Sequence, residues 1–237
     1  MLITKYDYTP INRETINGKR HYCLPDGSKV PSVTTILDLT KSESSRLALS
    51  NWRKAVGEKK AQEITTEAAS RGTRMHKWLE NYVINGSIVA PGSNPYSQQS
   101  HKMANTIISN GLCHVNEYWG VEVPLYYSGL YAGTTDCLGV WKGKQAIIDF
   151  KQTNKPKVEA YLDDYYCQLS AYMMAHDDMH GTNLECGVIL MCVKPAEITP
   201  GVWGAPQYQE FVLDGDKLEK YKDIWLEKVA QYYKINS

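Results

Sequence analysis

Between residues 115 and 153 the chain offers three strand-like segments in succession, VNEYWGVEVPLYY, GLYAGTTDCLGVW and KQAIIDFKQT. Gly129 and Lys142-Gly143 sit at the bends. Strands joined by breaks this short pair with their sequence neighbours as an antiparallel meander, because a parallel return needs a long crossover. Everything else has to be arranged around that meander. Upstream, the pattern from Ser42 to about Ile84 is helical with a break near Gly57, and Ala68, Gly72, Met75, His76 and Leu79 fall on one stripe. Before it, GKRHYCLPDGSKVPSVTTIL reads as a hairpin turning at Asp26-Gly27, after which Ser32 or Thr34 caps a helix. PGSNPYSQQS (91–100) reads as a loop, followed by a short helix that Gly111 ends. Downstream, residues 159–179 are helical, with Tyr165, Leu169 and Tyr172 recurring on one side. LECGVILMCV then reads as a buried strand, PQYQEFVLD as an edge strand, and 216–234 as a final helix.

Helices, meander, helix, strand, strand, helix is the order of an α/β (α+β) fold: a mixed central sheet flanked by helices, with an N-terminal helical lobe. A length of 237 residues suits a single domain, with 1–110 as hairpin and lobe and 111–237 as core. Lysine and arginine number 26, as do aspartate and glutamate, so no global charge attracts nucleic acid and any such binding requires a local basic groove. Seventeen tyrosines and six tryptophans against two phenylalanines suit a core with polar tips or a base-stacking surface. Six cysteines without a C-x-x-C, no apolar signal core in MLITKYDYTP, and no run near ~18 apolar residues lead us to expect a soluble intracellular protein without membrane contact.

The chemistry concentrates on the third strand. Alternation puts Asp149 and Lys151 on one face of IIDFKQTNKPK and Phe150 on the other. The preceding strand brings Asp136, and a hairpin sets the two carboxylates near one end of the sheet. Close carboxylates repel unless a cation lies between them, and Mg²⁺ or Mn²⁺ is the natural one. Lys151 would then orient or deprotonate a water, or steady a phosphate, as metal-assisted phosphodiester hydrolysis requires. Taken alone, D-x-K is weak evidence, and a surface ion pair on a strand is the more ordinary reading of it.

The wider set of motifs resembles the PD-(D/E)XK nuclease superfamily, on its RecB-like branch, among the mitochondrial genome maintenance exonucleases and their phage relatives. The resemblance runs over roughly residues 28–194 through PSVTTIL, ASRGTRMHKWLE, VEVPLYYSGLYAGTTDCLG, IIDFKQTNKPK and YYCQLSAYMMA. It implies a restriction-endonuclease-like core. It also implies His76 as the helix-borne metal ligand, Asp136 as first catalytic acid, Asp149 and Lys151 as the D-x-K pair, and the Phe150 carbonyl as a further metal ligand. Gln168 and Tyr172 match the Q-x-x-x-Y helix motif that contacts DNA. Arg71, Thr73, Thr153 and Lys155, with Arg74 and Lys157, are expected at the phosphates. Glu122 stands where relatives often carry an acid, either as support for the site or as a strand-edge charge. The sequence departs from D-x-K-T-[ST] at Gln152, which replaces the first threonine.

Some relatives carry an iron–sulfur cluster, but Cys186 and Cys192 lack clustered companions, and none is expected here. The HDDMH stretch (His176, His180) with those cysteines invites a zinc reading. Six residues along a strand separate the cysteines by about 20 Å, too far for one tetrahedral ion.

The expectation is a Mg²⁺- or Mn²⁺-dependent exonuclease using one or two ions. It would act on DNA with a free end, single-stranded in preference to duplex, in phage-type replication, recombination or degradation, in the cytoplasm of an infected bacterial host. The alternatives are a duplex-end-resecting exonuclease, a structure-specific endonuclease on the same core, and a catalytically inactive DNA-binding accessory.

Overall fold

The computed structural model describes residues 2–236. Strands β1 (Asn12–Ile16), β2 (Lys19–Cys23) and β3 (Lys29–Pro31) form a small antiparallel sheet. Four helices follow: α1 (Val33–Leu39), α2 (Glu43–Val56), α3 (Glu58–Asn85) and α4 (Pro95–Asn110). The meander is β4 (Val115–Tyr127), β5 (Tyr131–Trp141) and β6 (Lys144–Thr153). Then come α5 (Asp163–His180), β7 (Cys186–Val193), a two-stranded ribbon of β8 (Glu197–Thr199) and β9 (Val202–Trp203), β10 (Gln207–Asp214) and α6 (Gly215–Asn236). The main sheet has the order β10-β7-β6-β5-β4, antiparallel except for the parallel β6–β7 pair that α5 connects.

The mixed sheet flanked by helices is the expected fold, and most elements form where their patterns end. Ser32 caps α1, its hydroxyl accepting from the Thr35 N–H. Gly57, at φ +82°, separates α2 from α3 in a conformation that side chains avoid. β7 is buried along its whole length, as a central strand with a parallel neighbour should be. Two expectations need correction. The loop expected over 91–100 is shorter, because the Asn94 side chain accepts from the N–H groups of Tyr96 and Ser97 and Pro95 opens α4 at its first position. And β1, with a second hairpin turning at Asn17-Gly18, was not anticipated. Asn17 (φ +52°) and Gly18 (φ +75°) are both left-handed, the requirement of a type I′ turn.

Two cores sandwich the sheet. On one face Met75, Leu79, Met103 and Ile107 from α3 and α4 meet Ile148, Phe150, Val188 and Leu190. On the other, Leu169, Tyr172 and Trp225 from α5 and α6 meet Leu138, Ile147, Ile189 and Leu213. The strand period therefore sends Phe150 toward α3 and α4, and Asp149 and Lys151 toward α5. Among the described residues, no helix is long and apolar enough to cross a membrane.

Candidate active site

The β5–β6 ladder ends at the pair Cys137 and Ile148. Asp136 and Asp149 come directly after it, where the backbones no longer bond to each other. The Phe150 N–H, freed from the ladder, donates to Asp136 Oδ2 at 2.7 Å. This bond fixes the Asp136 carboxylate and leaves Oδ1 facing His76 Nδ1 at 3.4 Å. His76 reaches the site from α3, its ring edge-on to that of Phe150 at 6.1 Å between centroids. Beside Asp136, Asp149 is 2% exposed. Its Oδ2 lies 2.5 Å from Lys151 Nζ. That approach lacks hydrogen-bond angles, and the atom has no hydrogen-bond partner.

Glu122 enters from β4. Its φ of +51° is left-handed, a costly conformation for a residue other than glycine, of order 1 kcal/mol. His76, Glu122 and Asp136 each offer a ligand atom within 4.8 Å of the others, the one such group of His, Cys, Asp and Glu among the described residues. Asp149 lies outside that triad, held by Lys151 instead.

The electrostatics divide the acids. Burial, then the charge of Asp136, pushes Asp149 up to about 6 against the pull of Lys151. Burial also favours neutral Asp136, but the attraction of His76, Lys151 and the Phe150 N–H outweighs it and holds this carboxyl below its ordinary range. Burial raises Glu122, with help from Asp136. His76 and Lys151 are both raised: burial opposes their charged forms, and the neighbouring carboxylates prevail.

A cleft of about 250 Å³ opens over these groups. Gln168 and Tyr172 line it, and Gln168 Nε2 donates to the Tyr172 hydroxyl at 3.2 Å. Tyr172 is 3% exposed, its ring lying where a β-carbon on Gly133 would approach to 2.6 Å. The resemblance-based set thus converges in part. Arg71 does not reach the cleft surface. It is 1% exposed, and its guanidinium donates to Gln152 Oε1 (2.9 Å), Glu67 Oε1 (3.0 Å) and Asn154 Oδ1. Gln152 in turn donates to the Ala68 carbonyl at 3.0 Å, so the residue that breaks the family pattern ties β6 to α3. Thr153 Oγ1 donates to the Lys155 carbonyl at 2.8 Å, a local turn. Thr73 Oγ1 donates back to Ala69 O at 3.1 Å, and Thr73 lines a neighbouring cleft of about 640 Å³ with His76 and Glu122. Lys155 is exposed. Sequence reasoning missed Arg13, Arg20 and Tyr22, which line the 250 Å³ cleft from the N-terminal sheet. No motif marks them; all three stand on the β1–β2 hairpin that turns at Asn17-Gly18.

The histidines of HDDMH have another role. Thr182 Oγ1 donates to Asp177 at 2.6 Å, so it accepts from His176 Nδ1 at 2.8 Å, leaving Nε2 to accept from Tyr8 at 3.2 Å. Tyr6 packs on both His176 and His180, so the pair anchors the N-terminal segment to α5. Burial, then His180, pushes His176 down to about 4.

No protein-family model matches the chain. Three curated relatives, all named mitochondrial genome maintenance exonuclease 1, are similar to it. The mouse protein is 28% identical over 94% of this chain and 67% of its own length. The human protein is 26% identical, and that of Xenopus tropicalis 28%, each over 86% of this chain. The chain spans 58% of the length of those two. A phage related exonuclease from Haemophilus somnus has a solved structure that overlays 68% of this chain and 82% of its own, at 13% identity and a TM-score of 0.33. That likeness is too slight to bear on function. The sequence relatives support a nuclease superfamily relationship for the chain. Within it, the chain stands beside the mitochondrial genome maintenance exonucleases.

Proposed function

We propose that this chain, acting as one nuclease domain, is a metal-dependent DNA exonuclease that hydrolyses phosphodiester bonds from free ends, single strands in preference to duplex. The observation that carries the reading is the convergence in one cleft of His76, Glu122 and Asp136 with the Asp149–Lys151 pair.

The residues fit a hard divalent cation. The donors are carboxylate oxygens with one imidazole, and a buried Asp149 oxygen lacks any hydrogen-bond partner. His76, Glu122, Asp136 and Asp149, with the Phe150 carbonyl, would hold Mg²⁺ or Mn²⁺. The ion would polarise the phosphate and lower the pKa of water. The chain's own residues do the rest. Asp136 is oriented by the Phe150 N–H. Lys151, kept charged by its carboxylate neighbours, stands where it orients the attacking water or steadies the phosphorane charge. Tyr165, whose ring lies 5.3 Å from Lys151 Nζ, limits the directions that amine can take. Gln168 and Tyr172 present amide and hydroxyl to the strand.

The test compares linear single-stranded, blunt duplex and circular single-stranded DNA at equal nucleotide concentration, in Mg²⁺, in Mn²⁺ and in chelator. Metal-dependent loss of the linear single strand first, with the circle intact, is the expected result. Faster loss of the duplex overturns the strand preference, cutting of the circle overturns the exonuclease reading, and no cleavage in either metal overturns the enzyme.

A further inference from the structure

We propose that Arg13 and Arg20, on the N-terminal hairpin, form a phosphate-binding wall opposite the carboxylates, taking two neighbouring phosphates of the strand; the proposal rests on the nuclease reading. Register places them together. Arg13 pairs with Tyr22 and Thr15 with Arg20, so both arginines and Tyr22 share one face of the β1–β2 hairpin. As diagonal cross-strand neighbours, the arginines have β-carbons roughly 7–8 Å apart. Tyr22 fixes which way that face looks. It is buried, and its hydroxyl lies 3.3 Å from Thr134 Oγ1, two residues before Asp136 on β5.

Both arginines line the 250 Å³ cleft with His76, Glu122 and Asp136. Arg13 also lines the 640 Å³ cleft, which shares His76 and Glu122, so it stands where the two meet. A strand running from one to the other passes it.

The bland alternative is that these are solvated surface cations, as most exposed arginines are. The surroundings favour the sharper reading. Neither guanidinium has a hydrogen bond or ion pair to any described side chain, although acids lie close by. Glu14 of the same hairpin pairs with Lys29 instead, at 2.7 Å. Asp136 turns to His76. Two like charges on one hairpin face repel, and among the described residues no side chain pairs with either of them. An anion in the cleft would, and a phosphodiester offers the two oxygens that a guanidinium fork matches. The small sheet thereby becomes the cationic half of the site, and the meander with His76 of α3 the metal-binding half.

The experiment uses the full chain, a short fluorescein-labelled oligothymidine, and a salt series in Ca²⁺ or chelator, with cleavage of the same oligonucleotide in Mg²⁺. The variants are R13Q, R20Q, the double variant, and R13K/R20K. Both positions are exposed, so melting should stay near wild type. The double Gln variant should weaken binding by about tenfold per arginine and lower the log-affinity against log-salt slope by about 1.4. It should raise KM far more than it lowers kcat. The Lys pair should restore the slope and only part of the affinity, since an ammonium lacks the fork. Wild-type affinity and slope in the folded double Gln variant overturn the wall and leave the nuclease reading standing. A wild-type chain that neither binds nor cleaves the oligonucleotide overturns both.

Discussion

Two ionic clusters, each built around a buried charged side chain, sit at the same end of β6, and they are built on opposite principles. Around Arg71, the guanidinium donates to Gln152, Glu67 and Asn154, while Lys194 donates to Glu67 at 2.8 Å. Around Asp149, two acids crowd at the end of a ladder, one carboxylate oxygen is without a hydrogen bond, and the carboxyl is pushed up to about 6. The first arrangement is what a buried charge needs to stabilise a fold. The second costs stability despite the Lys151 ion pair, as the proposed metal site would before its ion is bound. Hydrogen-bond satisfaction, more than charge or burial, separates architecture from chemistry here.

Asp149→Asn is the strongest way to test that contrast. It removes the charge that the proposed mechanism gives to the metal and leaves the shape, so cleavage should fall by about 10³-fold or more, while the melting temperature in chelator holds or rises. A folded variant that cleaves like wild type would remove the second cluster's special status. Arg71→Met should do the reverse. It leaves Gln152, Asn154 and Glu67 without their shared donor and should lower unfolding free energy by about 2–3 kcal/mol, read by urea titration. Cleavage per folded molecule should stay close to wild type, and a large loss there would mean that the two clusters act as one.

Acid titration of stability in chelator sharpens the difference. A carboxyl raised in the fold binds more protons folded than unfolded. Its contribution is therefore fully present below the unfolded value of 3.8 and lost as pH rises through about 6. Over that window wild type should lose on the order of 2 kcal/mol relative to Asp149→Asn. Parallel pH profiles would refute the strained carboxylate. The smallest effect belongs to the boundary between the clusters. Gln152→Thr restores the family pattern but cannot span both Arg71 and the Ala68 carbonyl, and should cost about 1 kcal/mol with no change in kcat.

Those clusters also mark what could be read in advance. The meander and its flanking helices follow from local rules: glycine at the bends, alternation along β5 and β6, a caps-and-stripe pattern on α3. The placing of Asp149 and Lys151 on one face needed only the strand period. Arg71 was read as a phosphate contact, one of a basic rim with Arg74, Lys155 and Lys157. Its partners Gln152 and Asn154 lie some eighty positions away in sequence, and burial of that kind is a tertiary fact. Glu122 was left undecided because its left-handed backbone, which aims it at His76 and Asp136, has no local sequence cause. Arg13 and Arg20 escaped notice because an isolated arginine on a hairpin carries no signature until the hairpin is docked.

The parallel pairing of β6 with β7 has a kinetic consequence. The meander closes by near-neighbour contacts, whereas β7 reaches β6 only after the chain has traversed α5. Non-local pairings of that kind pay their loop entropy late. The two carboxylates would thus meet while still hydrated, and water would be stripped from Asp149 only when β7 and α5 close over it, past the rate-limiting barrier. Relief of that burden then belongs to the native state alone. In a stopped-flow chevron, Asp149→Asn should slow unfolding and leave the refolding limb unmoved, and a faster refolding limb would place the desolvation before the barrier.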